Sequence, residues 1–588
     1  MPDTDSSLRI RARELGVQTS YHDVCNELHH ADDVALERIV EVLEADRVAD
    51  ASAARFATPL HDDPRAPVVV AGRVTAASIT VAGRAIDVLV SHGDDHDLLH
   101  LPSELALGCH VLSFVTERGP GETVVVVAPA TMPHSADYER TAGLFAPAYS
   151  LWETDRPLPS FRHLHELARS LKSSGIDVLA TLPLYATFLD DLFDPSPYSP
   201  ISRLHWNEVY LDDEGLPDAP APALTDHVDW RALGARRRAQ LLEATRRLDT
   251  DQRALLREFV EANPDVADYA RFLAGREVGI DEHVEDSHVL AQYLADRQLS
   301  AIADDPDAAA LALDLPIGSH PHGYEVWADR SMFAGAMSVG APPDIFFADG
   351  QDWGFPPPLP AAMHASGQRL WRELIARVGR HADILRIDHA MAVERLWWIP
   401  DGLPAHQGAY VHYQREEILA VIAASASAAG VTIVGEDLGT VPPEVSDAFD
   451  RWDMLGMYEE QFHLDVDPLP HIPARVVAGI RTHDMAPLAV AVEALDTDGY
   501  RARVGAAHGV EIGRTWQDIL EQMLIRLSYS DAYMVIADLD DLVGETRPHN
   551  LPGRVVPEIW CRRLDMPTSE LLADPDVRHR LELLRRKG

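Results

Sequence analysis

Past residue 140 the chain keeps repeating one unit: an amphipathic stretch, a glycine, then a short apolar run. Leu164, Leu167 and Leu171 lead through Gly175 to IDVLATLPL, and Trp371, Leu374, Ile375 and Val378 lead through Gly379 to ADILRIDH. Ile418, Val421 and Ile422 lead through Gly430 to VTIVGEDLG, and TWQDILEQMLIRLSYS passes to AYMVIADLDDL. Apolar residues three and four apart give a helix one buried face, and glycine ends the helix at little steric cost. A short apolar run after it reads as a buried strand. Helix alternating with strand is the pattern of an α/β sheet or barrel, so the fold class is α/β.

The rest of the chain departs from that rhythm. In the first 50 residues Leu36, Ile39, Val40 and Leu43 recur at helical spacing, with Asp32 or Asp33 as the cap, so residues 1–50 read as a helical segment. From 51 to about 135 come the β-rich runs PVVVAGRV, SITVAG, AIDVLVSH, HVLSFVTE and TVVVVAP, with Gly119-Pro120-Gly121 expected to turn the last pair. That composition suggests a β-sandwich-like module. The repeating unit then occupies 136–588, interrupted at about 213–310 by a charged helical stretch that opens on LPDAPAPALTD.

In parallel α/β barrels the reactive groups stand at the C-terminal strand ends. Here those ends carry acids: Asp388 in LRIDH, Glu436 in VGEDL and Asp484 in GIRTHD. Three converging carboxylates suit glycosidic-bond chemistry, with one attacking the anomeric carbon, one protonating the leaving oxygen and one stabilising the cationic state. Arg386 precedes Asp388 by two residues, on the same strand face, where its charge favours the ionised carboxylate. Glu436 at a half-dry strand tip is suited to a raised pKa, and Asp437 beside it to orienting neighbours. His389 and His483 are donors suited to hydroxyls. Taken one at a time, each acid reads equally well as a cap or an ion-pair partner, and each histidine reads more readily as an ordinary loop histidine.

A competing reading makes the acids magnesium ligands. The loop SVGAPPDIFFADGQDWGFPPP, residues 338–358, favours sugar instead. Phe346, Phe347, Trp353 and Phe355 offer apolar rings, with Asp344, Gln351 and Asp352 as acceptors between them. SHGDDHD and SHPHG lack the helical spacing of zinc-binding histidines and read as loops.

Charge and cysteine content exclude other classes. A formal charge of −43, with Lys172 and Lys587 the only lysines, is the opposite of a nucleic-acid footprint. No run of about 18 apolar residues suggests a membrane span. The opening MPDTDSSLRIRAREL lacks an export pattern, so the expected compartment is the cytoplasm. Cys25, Cys109 and Cys561 are too scattered for a disulfide framework or a zinc site.

Four long motifs occur in this chain: FDPSPYSPISRLHWNEVYLD, SVGAPPDIFFADGQDWGFPPP, LRIDHAMAVERLWWIPDGLPAHQGAYVHY and VGEDLGTVPPEV. Together they resemble the amylomaltase or disproportionating-enzyme family of 4-α-glucanotransferases. The likeness runs from about residue 140 to NLPGRVVPEIWCRRL near the end, and the N-terminal modules resemble those of the family's longer bacterial branch. It implies a (β/α)8 TIM barrel with inserted helical subdomains, no cofactor or metal, and maltooligosaccharides or α-1,4-glucans as partners. It also implies Asp388 as nucleophile, Glu436 as general acid/base and Asp484 as the residue holding the distorted donor sugar. Arg386 and His483 would line the donor subsite, and Ser196, Tyr198, Asp344, Gln351 and Trp353 would contact the glucan. In GMYEEQFHLD the chain differs from the family, placing Glu459 and Glu460 where apolar or aromatic residues are common.

Overall fold

Eight short strands after residue 140 form one parallel sheet: β1 (Thr141–Phe145), β2 (Val178–Ala180), β3 (Ala310–Leu315), β4 (Ile384–Ile387), β5 (Thr432–Gly435), β6 (Gly456–Glu459), β7 (Val476–Gly479) and β8 (Met534–Asp538). Each pairs in parallel with its sequence neighbours except across β5 and β6, and β8 pairs back onto β1. Between β5 and β6 the seam is the Val434–Leu455 bridge, where Gly435 N donates to Leu455 O at 2.8 Å. The sheet therefore closes into a barrel. This computed structural model describes residues 6–23, 27–48, 55–57, 67–81, 83–102, 105–277, 281–344, 347–439, 441–494, 497–509, 511–553, 556 and 558–586.

The barrel closes because its floor is dry. Val178, Ala312, Ile384, Val434, Leu455, Val477 and Met534 are buried and meet inside it. Side chains of this kind, supplied by successive strands, form a packed layer. Helices Phe161–Ser173, Arg369–Val378, Arg415–Ala429, Pro443–Trp452 and Trp516–Tyr529 cover the outside. Gly430, at φ +71°, ends one of them in the left-handed region.

Two long excursions interrupt the alternation. Between β2 and β3 lie the hairpin Tyr185–Ala186/Ser202–Trp206 and four helices from Trp230 to Ala303. The last, Val284–Ala303, packs beside Phe161–Ser173 and leads into β3, so it serves as a barrel helix. The second is a four-stranded sheet built from Met337–Ala341, Gln351–Asp352, Arg395–Pro400 and Ala409–His412.

Upstream, helices Ser7–Glu14 and Asp33–Val48 flank a small hairpin, Ser20–His22/Leu28–His30, where the sequence reads as helix throughout. Tertiary contacts decide this segment. Val17 bridges to Val411, and the Tyr21 ring packs edge-on against Trp397 and Tyr410. Asp32 caps the second helix, its Oδ1 accepting the Val34 and Ala35 amides. A five-stranded and a three-stranded sheet follow, sharing the core Val68, Val70, Ile79, Leu99, Leu112 and Val125. The last hairpin turns at Glu117-Arg118 instead of at Gly119-Pro120-Gly121, which begins strand Gly119–Val127. There Gly121 makes room for the Phe114 ring, which would lie 2.4 Å from an added Cβ.

Below the mouth of the barrel a buried ionic network ties the C-terminal segment to β8. Arg481 lies 2.9 Å from both Asp538 and Asp541. Asp540 takes His549 Nε2 at 2.8 Å and the Arg562 guanidinium, while Arg562 also reaches Glu545 at 3.0 Å. Removing one member of a buried ion pair strands the other charge, which costs about 3–5 kcal/mol. Asp540→Ala should lower the free energy of urea unfolding by about that amount. A loss under about 1 kcal/mol, the scale of an exposed pair, would show that the network is not what holds this segment.

Candidate active site

Side chains along a strand alternate faces, so residues two apart share the barrel interior. Moving up from the apolar floor, that inward row turns charged: Ala312 gives way to Asp314, Ile384 to Arg386, Met457 to Glu459 and Ile536 to Asp538. The same step carries Arg386 to Asp388 at the end of β4 and Val434 to Glu436 at the end of β5. A cavity of about 100 Å³ lies between the two layers.

Arg386 organises the mouth. Its Nη1 donates to Asp314 Oδ1 and Oδ2 at 2.7 and 2.8 Å, and to Asp388 Oδ1 at 3.0 Å. A guanidinium thus stands between the Asp314 and Asp388 carboxylates. Tyr198, delivered by the loop after β2, donates its hydroxyl to Asp314 Oδ2 at 2.6 Å. Ser196 shapes the same loop, its Oγ accepting the Tyr198 amide at 3.3 Å.

Glu436 is fixed by backbone. Its Oε2 accepts the His389 amide at 3.0 Å and its Oε1 the Leu438 amide at 2.8 Å. His389 can aim its amide there because its φ is +46°, a left-handed conformation costing roughly 1–2 kcal/mol outside glycine. Asp437, the other acid of the pair, turns away from the mouth and accepts the Met457 amide at 2.8 Å, tying the end of β5 to β6.

Burial pushes the Asp388 carboxyl up to about 8; Arg386 pulls it down, and Asp314, Glu436 and Asp484 add to the rise. Burial also raises Glu436, opposed by Arg386 and by the two amides. Charges this close titrate as one system. Arg386 is bonded to Asp388 and not to Glu436, which favours the charge on Asp388 and the retained proton on Glu436.

The histidines are neutral at neutral pH. Burial lowers His389 to about 4, with Arg395 adding to the effect, and burial lowers His483 also. His483 stacks with Tyr198 at 5.1 Å between ring centroids and with Phe145 at 6.2 Å. Asp484 stands exposed beyond β7, its Oδ1 accepting from Asn550 Nδ2 at 2.7 Å. Trp353 packs edge-on to His389 at 5.3 Å and stacks on Phe355.

Of the residues singled out in the sequence, Asp388, Glu436, Arg386, Tyr198, His389, His483, Asp484 and Trp353 thus come together or lie one contact away. Asp344 instead caps its own loop, accepting the Phe347 amide at 2.7 Å, and Gln351 pairs with Ala341 in the adjoining sheet. Phe346 lies outside the described residues. Asp314 and Asn550 are additions. LALDL at β3 has the same form as LRIDH, an apolar strand ending in an acid, and that signal was available for Asp314.

Fold and site together are those of a (β/α)8-barrel protein with a carboxylate centre at the C-terminal mouth. The chain belongs to the 4-alpha-glucanotransferase family, glycoside hydrolase family 77, whose model matches residues 147–286 and 279–568. A 4-alpha-glucanotransferase of Mycobacterium tuberculosis is 31% identical over 463 residues, 66% of this chain and 63% of that protein. The chain thus spans less than two thirds of that relative's length. The Haemophilus influenzae 4-alpha-glucanotransferase is 25% identical, with 97% of each chain covered. Among solved structures, amylomaltase from Corynebacterium glutamicum superposes with a TM-score of 0.85 at 22% identity, covering 98% of this chain and all of that one. Amylomaltase from Streptococcus agalactiae in complex with acarbose gives 0.66 at 21% identity, over 76% of this chain and 98% of that one.

If Asp314 holds Arg386 for Asp388, Asp314→Ala should lower kcat by ~100-fold while leaving KM within about 3-fold, because misplacing a reacting group by an ångström costs that much. A KM increase at unchanged kcat would make Asp314 a substrate contact instead.

Proposed function

We propose that this chain is a 4-alpha-glucanotransferase that moves α-1,4-glucan segments between maltooligosaccharides with retention at the anomeric carbon. The observation that carries the reading is the asymmetry of the two acids. Asp388 is paired to a guanidinium and so suited to act ionised, and Glu436 is held by amides with its pKa raised by burial. Two carboxyls at adjoining strand ends suit a retaining mechanism, which requires them roughly 5–5.5 Å apart.

In the first step the Asp388 carboxylate attacks C1 of the donor glucosyl unit. The bond from C1 to the leaving oxygen breaks with its electron pair on that oxygen, and Glu436 supplies the proton. The product is a β-linked glucosyl-enzyme. In the second step the 4-hydroxyl of an acceptor glucan attacks C1 and gives its proton to Glu436. The bond to Asp388 breaks, restoring the carboxylate and an α-1,4 link. Asp484 and His483 bind the distorted donor sugar, Arg386 holds the nucleophile, and Tyr198 and Ser196 border the donor side. Trp353, beside His389, closes the acceptor side, and exclusion of water there is what favours transfer over hydrolysis.

Maltotriose alone should be converted to glucose plus a ladder of longer maltooligosaccharides, read by mass. Glucose and maltose without longer products would make the protein a hydrolase. Glu436→Gln should lower turnover by about 10²–10⁴-fold and leave maltooligosaccharide affinity by calorimetry within a few-fold, because only the proton transfer is lost. Full activity in that variant would remove Glu436 from the mechanism.

A further inference from the structure

Glu459 is a buried carboxyl with no ion-pair partner of its own among the described residues. It ends β6, is 3% exposed, and its Oε2 has no hydrogen-bond partner among them. Its cross-strand partner on β7 is Gly479, and the fit depends on that glycine: a Cβ there would lie 2.6 Å from Glu459 Oε2. The side chain lines the barrel cavity with Arg386, Asp314, Arg481 and Asp538. Both nearby guanidiniums are already engaged, Arg386 with Asp314 and Asp388, and Arg481 with Asp538 and Asp541. A bare carboxylate in such a place costs several kcal/mol, and a protonated one far less.

Building on the transferase reading, we propose that Glu459 is a positioning residue of the reaction centre: it holds a proton in the barrel cavity that Arg386 also lines, and it sets the proton occupancy of Glu436 above it. The charges facing it are Asp314 from β3, Arg386 from β4, Glu436 from β5, Arg481 from β7, and Asp538 and Asp541 from β8 and beyond. His483, the remaining titratable lining group, is neutral because it is buried. Burial drives the Glu459 carboxyl up to about 8; Arg386 and Arg481 oppose the rise, and Asp541 and Glu436 reinforce it. The coupling to Glu436 is mutual. When Glu459 ionises in alkaline solution, its charge makes the Glu436 proton harder to lose, so acid catalysis persists to higher pH.

Two measurements on Glu459→Gln and Glu459→Met test this, neither variant being able to ionise. The alkaline limb of kcat/KM for maltotriose disproportionation should move down by about one pH unit, a ~10-fold loss of rate on that limb, while the rate near pH 6 changes less than about 3-fold. The second readout needs no activity. A carboxyl with a raised folded-state pKa contributes stability that is lost as pH rises from its unfolded value, near 4.3, through its folded one. The melting temperature of either variant relative to wild type should therefore climb between pH 5 and pH 8. A constant offset in melting, or an unmoved alkaline limb in an active variant, overturns the proposal. A wild type without turnover sinks the transferase reading instead, and the melting comparison still decides whether Glu459 carries the proton.

Discussion

One guanidinium shared between two carboxylates is the constraint on which the mouth of this barrel depends. Arg386 Nη1 donates to both carboxylate oxygens of Asp314 and to one of Asp388. Its charge opposes the burial that raises Asp388 and, being bonded to Asp388 and not to Glu436, favours the ionised form on Asp388. The surrounding inventory makes this necessary. Asp388, Glu436 and Glu459 are all raised by burial, and one guanidinium, Arg386, opposes the rise in each of them. Protons must remain on some of them. A double displacement needs this condition, because it requires one acid charged and its neighbour protonated at the same pH.

The scaffold keeps that balance by fixing backbone as much as side chains. The left-handed turn at His389 points an amide at Glu436, and Asp437 ties β5 to β6 through Met457. Glu460, beside Glu459, faces away from the cavity. Arg526 at 2.8 Å and the hydroxyls of Tyr458 and Tyr500 satisfy it fully. Two consecutive glutamates at the end of one strand thus have opposite electrostatics, because alternation sends one into the barrel and the other into the helices outside it.

The barrel strands were legible because helical spacing, a glycine stop and an apolar run recur in order, and the acids were legible because they follow those runs directly. Trp353 was legible as one ring of a Gly- and Pro-punctuated aromatic loop, whereas Tyr198 came into view through the family resemblance, since a lone aromatic in a loop has no periodicity to betray its place. Asp314 was missed because β3 follows directly on the helical insertion, which concealed LALDL as a barrel strand. The N-terminal hairpin was missed because Tyr21 and Val17 are ordered by Trp397 and Val411, almost 400 residues away in sequence. The Gly119-Pro120-Gly121 run reads as a turn by composition, but a two-residue turn at Glu117-Arg118 already reverses the chain, and Gly121 is needed for the Phe114 ring.

The central claim is that Asp388 bears the charge and attacks, while Glu436 bears the proton. An activated maltosyl fluoride leaves without acid help, so in Glu436→Gln it should load the enzyme with sugar that cannot be passed on. Peptide mass spectrometry of the quenched mixture is then the direct test. A maltosyl adduct on Asp388, absent when Asp388 is replaced by Asn, is the predicted result. An adduct on another acid, or none in a variant that still consumes the fluoride, would contradict the account.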